Sequence, residues 1–204
     1  MSLTLGLKFK KFDLHVHTPA SGDYEDKQIS PDDIVNVAIN KGLSAIAITD
    51  HQTADWIDKL KASATGKPLV IFPGAEVLVT GGKTGVHLLI IFDTDKNSEY
   101  IRQFLNKIGV FQKNGKPTIA SELTVGQVAD ELEKFDPTAI MILAHCHSSK
   151  GVTGDIAGET RKLIFEKERK CLLGAEANES DFLDENKKKQ HTRVVDCFDG
   201  TDPN

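Results

Sequence analysis

The chain has 204 residues, a net charge of −5, and 39% hydrophobic and 27% charged side chains, the composition of a soluble globular protein long enough to bury one core. The acidic balance argues against holding nucleic acid by bulk charge alone, and leaves open a nuclease or phosphatase whose metals grip phosphate locally. Apolar runs such as VHLLIIF (86–92) are strand-length and too short to span a bilayer. Cys146, Cys171 and Cys197 are an odd count with no CxxC spacing, which points to reduced thiols in a cytoplasmic protein. The N-terminus carries no signal-peptide pattern.

In chain order, FDLHV (12–16) reads as a strand. SPDDIVNVAINKG (30–42) predicts a helix with Ser30 as N-cap, Pro31 in the first turn and Asp32 and Asp33 at its positive end. Ile34, Val35, Ala38 and Ile39 form its apolar stripe and Gly42 ends it. SAIAIT (44–49) reads as a buried strand and TADWIDKLKASA (53–64) as a second helix. PLVIFPGAEVLVT (68–80), with a bend at Pro73-Gly74, and VHLLIIF (86–92) read as strands joined through GGKTG. Segments 98–109 and 124–135 predict helices and AIMILAH (139–145) a strand. The remainder predicts a charged helix (158–170), the strand CLLGAEA (171–177), a helix (181–190) and a last strand, RVVDCF (193–198).

Strands alternating with helices predict a parallel sheet, open or closed into a barrel. In such folds active sites gather at the C-terminal strand ends. His15 and His17 end the first strand, Asp50 and His51 the second, and Glu76 follows Pro73-Gly74 in the third. His87 begins the next strand, His145 and His147 end IMILAHCH, and Glu176 and Asn178 end GAEAN. Of the seven histidines only His191, in KKKQHT, has no such place, and there it reads as part of a solvated helix face. Residues i and i+2 of a strand point the same way, so His15 and His17 can chelate one ion. Neutral imidazoles and carboxylates suit zinc, manganese and iron, and a glutamate such as Glu76 has two oxygens with which to bridge two ions. One HxH on a strand is weak, since a lone histidine is more often hydrogen-bonded in a core or at a surface. Recurrence of TDH, GAE and AHCH along the chain is what gives the pattern weight.

Together DLHVHTPASGD (13–23), AITDH (47–51), PGAEV (73–77), the histidine of VHLLI (86–90) and AHCH (144–147) resemble the PHP superfamily, metal-dependent phosphoesterase domains named for polymerase and histidinol phosphatase. The resemblance covers about residues 12–178. It implies an α/β fold, a distorted (β/α)7-type barrel truncated at its C-terminal end, with two or three divalent ions at the strand ends. Carried over, it makes His15 and His17 ligands of one ion and Glu76 the bridge to a second, completed by His87 and His145. Asp23 and His51 would hold a third. His147 has the same relation to His145, but the family ligand is usually the first of the two. Asp50 is expected behind the ligands, orienting one of them or a water. The family ordinarily closes its site with a late Asp-x-His. No histidine follows His191, and neither Asp196 nor Asp199 has one two residues on. The chain therefore reads as a single domain, an N-terminal fragment resembling the first part of proteins that end in an ATPase domain, with its first and third metal sites incomplete.

The expected reaction is metal-assisted hydrolysis of a phosphoester, with His147 or His51 giving a proton to the leaving oxygen. Lys150, in HSSKG, reads either as a substrate-phosphate contact or as a solvated loop lysine. Expected partners are a phosphorylated small molecule, a nucleotide or a nucleic-acid end, and an ATPase domain in the same full-length chain, with no membrane. Two alternatives stand beside it: a non-catalytic nucleotide- or nucleic-acid-binding sensor module, and an amidohydrolase-like reaction on a C–N bond. Specificity is expected in loops 18–30, 80–86, 112–123 and 148–158.

Overall fold

The computed structural model describes residues 10–81, 85–113, 116–117, 120–145 and 170–176. The segments predicted at 158–170, 181–190 and 193–198 lie outside this set, apart from Lys170. Strand β1 (Phe12–Val16) stands at one edge of a seven-stranded sheet. It pairs in parallel with β2 (Ala45–Ile48), which pairs in parallel with β3 (Val70–Thr80). Next come β4 (Val86–Ile91), β8 (Ile140–Leu143) and β9 (Leu172–Ala175), while the short β7 (Ser121–Thr124) adds to the far end of β3. The sheet curls into a half-barrel. Two-residue strands β5 (Gln112–Lys113) and β6 (Lys116–Pro117) form a separate antiparallel pair. The stretch 112–123, expected as a loop, instead contributes β5, β6 and most of β7, and the Asn-Gly between β5 and β6 is a hairpin signature.

The parallel sheet expected from the alternation needs correction, because β3–β4 and β4–β8 are antiparallel. The reason lies in the connection. Only residues 81–85 separate β3 from β4, and a parallel pair needs a crossover of about a dozen residues. A five-residue link permits only a hairpin. β4 is thus the one reversed strand of this sheet, and its first residues lie at the edge where the other strands finish.

Helices form where the local signals placed them. α1 (Pro31–Asn40) opens on a Ser30–Asp33 capping box, and Gly42, at φ 73°, follows its end. α3 (Ser98–Lys107) is capped by Asn97, and α4 (Val125–Phe135) by a Thr124–Gln127 capping box. α2 (Ile57–Ala64) starts four residues later than expected, and Trp56 at its N-cap makes no side-chain capping bond. Gly74 sits where β3 passes from β2 to β4. A Cβ there would lie 2.5 Å from the Ile90 carbonyl oxygen and 3.2 Å from that of Ile48, so no larger residue fits.

The alternation of strand residues decides what faces the site. Ile46, Ile48, Ala75, Val77, Val79, Val86, Leu88, Ile90, Met141 and Leu143 join the apolar core with the helix residues Val35, Ile57, Leu60, Ile101, Phe104, Val128 and Leu132. The residues between them, including His15, His17, Ala45, Ala47, Glu76, His87 and Leu89, fall on the opposite, concave face. Among the described residues no helix is long and apolar enough to cross a membrane. Leu88 is fully buried on the helix side of β4. Leu88→Ala is expected to lower the unfolding free energy by about 3 kcal/mol in denaturant titrations, without removing a polar group from the concave face.

Candidate metal centre

Each polar side chain of the concave face is delivered by a defined piece of backbone. His15 and His17 come from the last turn of the β1 pleat. After β2 the chain continues as Thr49-Asp50-His51, and His51 bridges in parallel to Glu76. The Glu76 N–H donates to the Asp50 carbonyl (3.0 Å) and the Gln52 N–H to the Glu76 carbonyl (2.9 Å). Glu76 is not at a strand end. It lies inside β3, three residues beyond Pro73, where β2 stops, and β3 and β4 stay paired past it. His87 pairs with Leu78, one diagonal step from Glu76 on the same face. Beyond β8, the Ala144 N–H donates to the His87 carbonyl (3.1 Å). His145 follows at φ 27°, a left-handed conformation that costs a non-glycine residue about 1 kcal/mol or more.

These placements surround one carboxylate with imidazoles. Glu76 is 1% exposed. Its Oε2 lies 2.9 Å from His15 Nε2, 3.2 Å from His17 Nε2 and 3.3 Å from His51 Nδ1. Its Oε1 lies 3.0 Å from His145 Nε2 and against His87 Nδ1. His15 Nε2 and His17 Nε2 are 3.0 Å apart, and His51 Nε2 is 3.3 Å from Asp23 Oδ2 at the exposed rim. Among the described residues three sets of donor atoms converge within 4.8 Å: His15, His17 and Glu76; His17, Asp23 and His51; His51, Glu76 and His87. The structure thus gathers His15, His17, Asp23, His51, Glu76, His87 and His145 around one spot, with His51 shared between two sets. His147 and Lys150 lie outside the described residues.

Electrostatics show what the cluster lacks. Burial raises the Glu76 pKa, but hydrogen bonds from His145, His15, His17 and His87 outweigh it and hold the carboxyl far below the usual range. Burial opposes charge on His15, yet the Glu176 and Glu76 carboxylates overcome this and hold its pKa at about 10. His51 is shifted down, chiefly by burial, against the pull of Glu76. Imidazole nitrogens gathered on one carboxylate make a site that draws positive charge, and the raised pKa of His15 follows from it. His87 Nε2 is also buried with no hydrogen-bond partner among the described residues, and leaving such a nitrogen unpaired would cost about 1–3 kcal/mol. Imidazole nitrogens with carboxylate oxygens fit zinc, manganese or iron, and ligands drawn from separate strand ends fit a catalytic rather than a structural site.

Glu176 is the residue to which the sequence reading gave a place at a strand end but no role. Its Oε2 accepts from His15 Nδ1 (2.9 Å) and from the His145 N–H (2.8 Å), and its pKa is lowered first by the bond from His15. One carboxylate thereby orients the His15 ring, leaving its Nε2 pointed inward, and holds the backbone that carries His145. Asp50 is fully buried; its backbone carbonyl takes the Glu76 N–H, while its carboxylate accepts from Thr18 and Ser21.

A sheet whose concave edge holds a buried glutamate ringed by histidines presents donor sets that could hold divalent metal ions. The PHP domain profile matches residues 13–194, and the chain belongs to that family. It is 31% identical over 80 residues to a 5′-3′ exoribonuclease of Haemophilus influenzae, covering 39% of this chain and 28% of that protein. It is 27% identical over 124 residues to the 5′-3′ exoribonuclease Rnm of Escherichia coli, covering 60% and 41%. The chain therefore spans less than half the length of these curated relatives. Among solved structures, a metal-dependent phosphoesterase assigned as putative from Bifidobacterium adolescentis superposes with a TM-score of 0.55 at 16% identity, over 91% of this chain and 83% of that one. A lesion-specific endonuclease from Pyrococcus furiosus gives 0.59 at 21% identity, over 85% and 44%. At these identities the likeness is one of fold.

Two outcomes follow from the geometry. A divalent ion that takes His15 as a ligand must displace its proton, so apparent affinity is expected to rise about tenfold per pH unit from neutrality toward pH 10, as measured by calorimetric titration. Glu176→Ala frees the His15 ring and the His145 N–H, and should weaken metal binding about tenfold or more in the same assay.

Proposed function

We propose that this domain is a metal-dependent phosphoesterase with two or three divalent ions, zinc, manganese or iron. His15 and His17 would hold one ion, Glu76 would bridge it to a second held with His87 and His145, and Asp23 and His51 would hold a third. The observation that carries the reading is the division of Glu76: three imidazoles face its Oε2 and two face its Oε1. A buried carboxylate split between two donor sets is suited to bridging. Bound ions would polarise a phosphoryl oxygen and lower the pKa of a water to near neutrality.

The chain's own residues set the rest. His87 and Glu76 are buried, whereas His17, His51 and Asp23 reach the open rim where a substrate can approach. The lowered pKa of His51, due first to burial, suits a ligand, which must be unprotonated, more than an acid. That leaves His147 as the candidate donor to the leaving oxygen. With a net charge of −5, the grip on substrate must be local, which favours a phosphorylated small molecule, a nucleotide or a nucleic-acid end over a long duplex. Support comes from relatives and neighbours named exoribonuclease, phosphoesterase and endonuclease, all of which denote phosphoester chemistry.

The test is turnover of bis(p-nitrophenyl) phosphate, p-nitrophenyl phosphate and 5′-phosphorylated RNA by manganese- or zinc-loaded protein. Activity is expected to vanish with EDTA and to fall about 100-fold or more in Glu76→Gln and His15→Ala. Full turnover after chelation would sink the mechanism. Tight nucleotide binding without turnover would favour a sensor module.

A further inference from the structure

We infer that Ser21 is a positioning residue that fixes the tautomer of His17 and ties together the two segments that carry the rim ligands. The inference rests on the reading of His17 as a metal ligand and adds how that ligand is made ready. Ser21 is fully buried. Its Oγ lies 2.8 Å from Asp50 Oδ1, 3.0 Å from the His51 backbone nitrogen and 3.0 Å from His17 Nδ1.

A hydroxyl has one proton to give and two lone pairs with which to accept. The direction of each bond follows from groups whose roles are not negotiable. A backbone N–H can only donate, so one lone pair of Ser21 Oγ takes the His51 N–H. Asp50 Oδ1 already accepts the Thr18 N–H at 2.6 Å, and is an acceptor toward Ser21 as well. The Ser21 proton is therefore directed at Asp50. Only a lone pair is left toward His17 Nδ1, so that nitrogen must carry a proton. His17 is held as the Nδ1–H form with the Nε2 lone pair directed inward, 3.0 Å from His15 Nε2 and 3.2 Å from Glu76 Oε2.

The support is itself braced. Asp50 Oδ2 accepts from Thr18 Oγ1 at 2.6 Å. The Ser21 N–H donates to the Thr18 carbonyl (2.9 Å) and the Tyr24 N–H to the Ser21 carbonyl (3.3 Å). Lys27 Nζ bonds the carbonyls of Pro19 and Ser21. The loop after β1 is thus closed on itself before it meets the loop after β2. Of the donor set His17, Asp23 and His51, Ser21 contacts two members and stands two residues from the third. A side-chain carboxylate at position 21 would present only acceptors and could not donate to Asp50. An alanine would leave both the His17 Nδ1–H and the His51 N–H without an acceptor.

The experiment uses zinc-loaded protein labelled with 15N-histidine. Long-range 1H–15N spectra of the wild type should show His17 with a slowly exchanging Nδ1 proton and a coordinated Nε2. A coordinated Nδ1 with the proton on Nε2 would overturn the proposal without any variant being needed. Ser21→Ala should weaken zinc binding about tenfold to 100-fold and speed exchange of the His17 Nδ1 proton. Thr18→Val removes a different hydroxyl bond to the same Asp50 and controls for loss of structure: it should lower thermal stability while the His17 signals keep their pattern. Equal effects of Ser21→Ala and Thr18→Val on zinc affinity and on the His17 spectrum would show a merely structural role. His17→Ala separates the two ideas: unchanged zinc affinity in that variant defeats the ligand reading, whereas lost affinity there with no effect of Ser21→Ala defeats only the positioning role.

Discussion

The arrangement depends on one buried negative charge. Glu76 is almost wholly removed from solvent, and an ionised carboxylate in such a place is stable only when paired. Five imidazoles do the pairing, and they arrive from four separate stretches of chain, with Glu76 in a fifth. Paired buried charge is weak as a source of stability, because desolvation offsets most of the attraction. It is effective as an organiser. The charge that must be compensated inside the folded protein draws positive charge to it, as the raised pKa of His15 shows.

The sheet makes this convergence inexpensive. Parallel β1, β2 and β3 bring their following residues to one edge, as the βα alternation demands. The reversal at β4 would ordinarily take its end to the opposite edge, but it brings its beginning to this one, and His87 is its second residue. β8 turns the direction back, so that His145 follows its end at the site. Hydrogen bonds between backbone groups flanking the ligands, Gln52 with Glu76 and Ala144 with His87, lock neighbouring ligand segments together. An inner row of imidazoles is thereby fixed by main-chain geometry, and an outer row, Glu176 and Ser21, by side-chain bonds to the nitrogens that face away from Glu76.

Much of this was legible from residue types. The Ser30 cap and the apolar stripe marked α1, and the helix expected over 124–135 matches α4, each to within a residue or two. Histidines of DLHVH, TDH and AHCH stood out because imidazoles recurring at strand ends have few purely structural uses. Less legible was the direction of β4. Periodicity reports which residues share a face and is blind to strand polarity, and only the brevity of the 81–85 connection hinted at a hairpin. Glu176 and Ser21 were hidden for a different reason. A glutamate after a strand and a serine in a turn are commonplace, and nothing in their own segments reveals that the acceptors they offer meet His15 and His17.

By itself, then, the sequence determined the inventory and the scaffold: which side chains can bind a cation, which strands carry them, and which helices cover the other face. Those follow from local chemistry and from a two-residue or 3.6-residue repeat. Tertiary structure alone decided the assignments. It set which oxygen of Glu76 each imidazole faces, joined His51 to two donor sets, and placed the Asp50 carboxylate behind Ser21. The physical reason is range. Hydrogen bonds and coordination act over about 3 Å, whereas the atoms they join here are as much as 161 residues apart in the chain, and only the packed sheet brings them within reach.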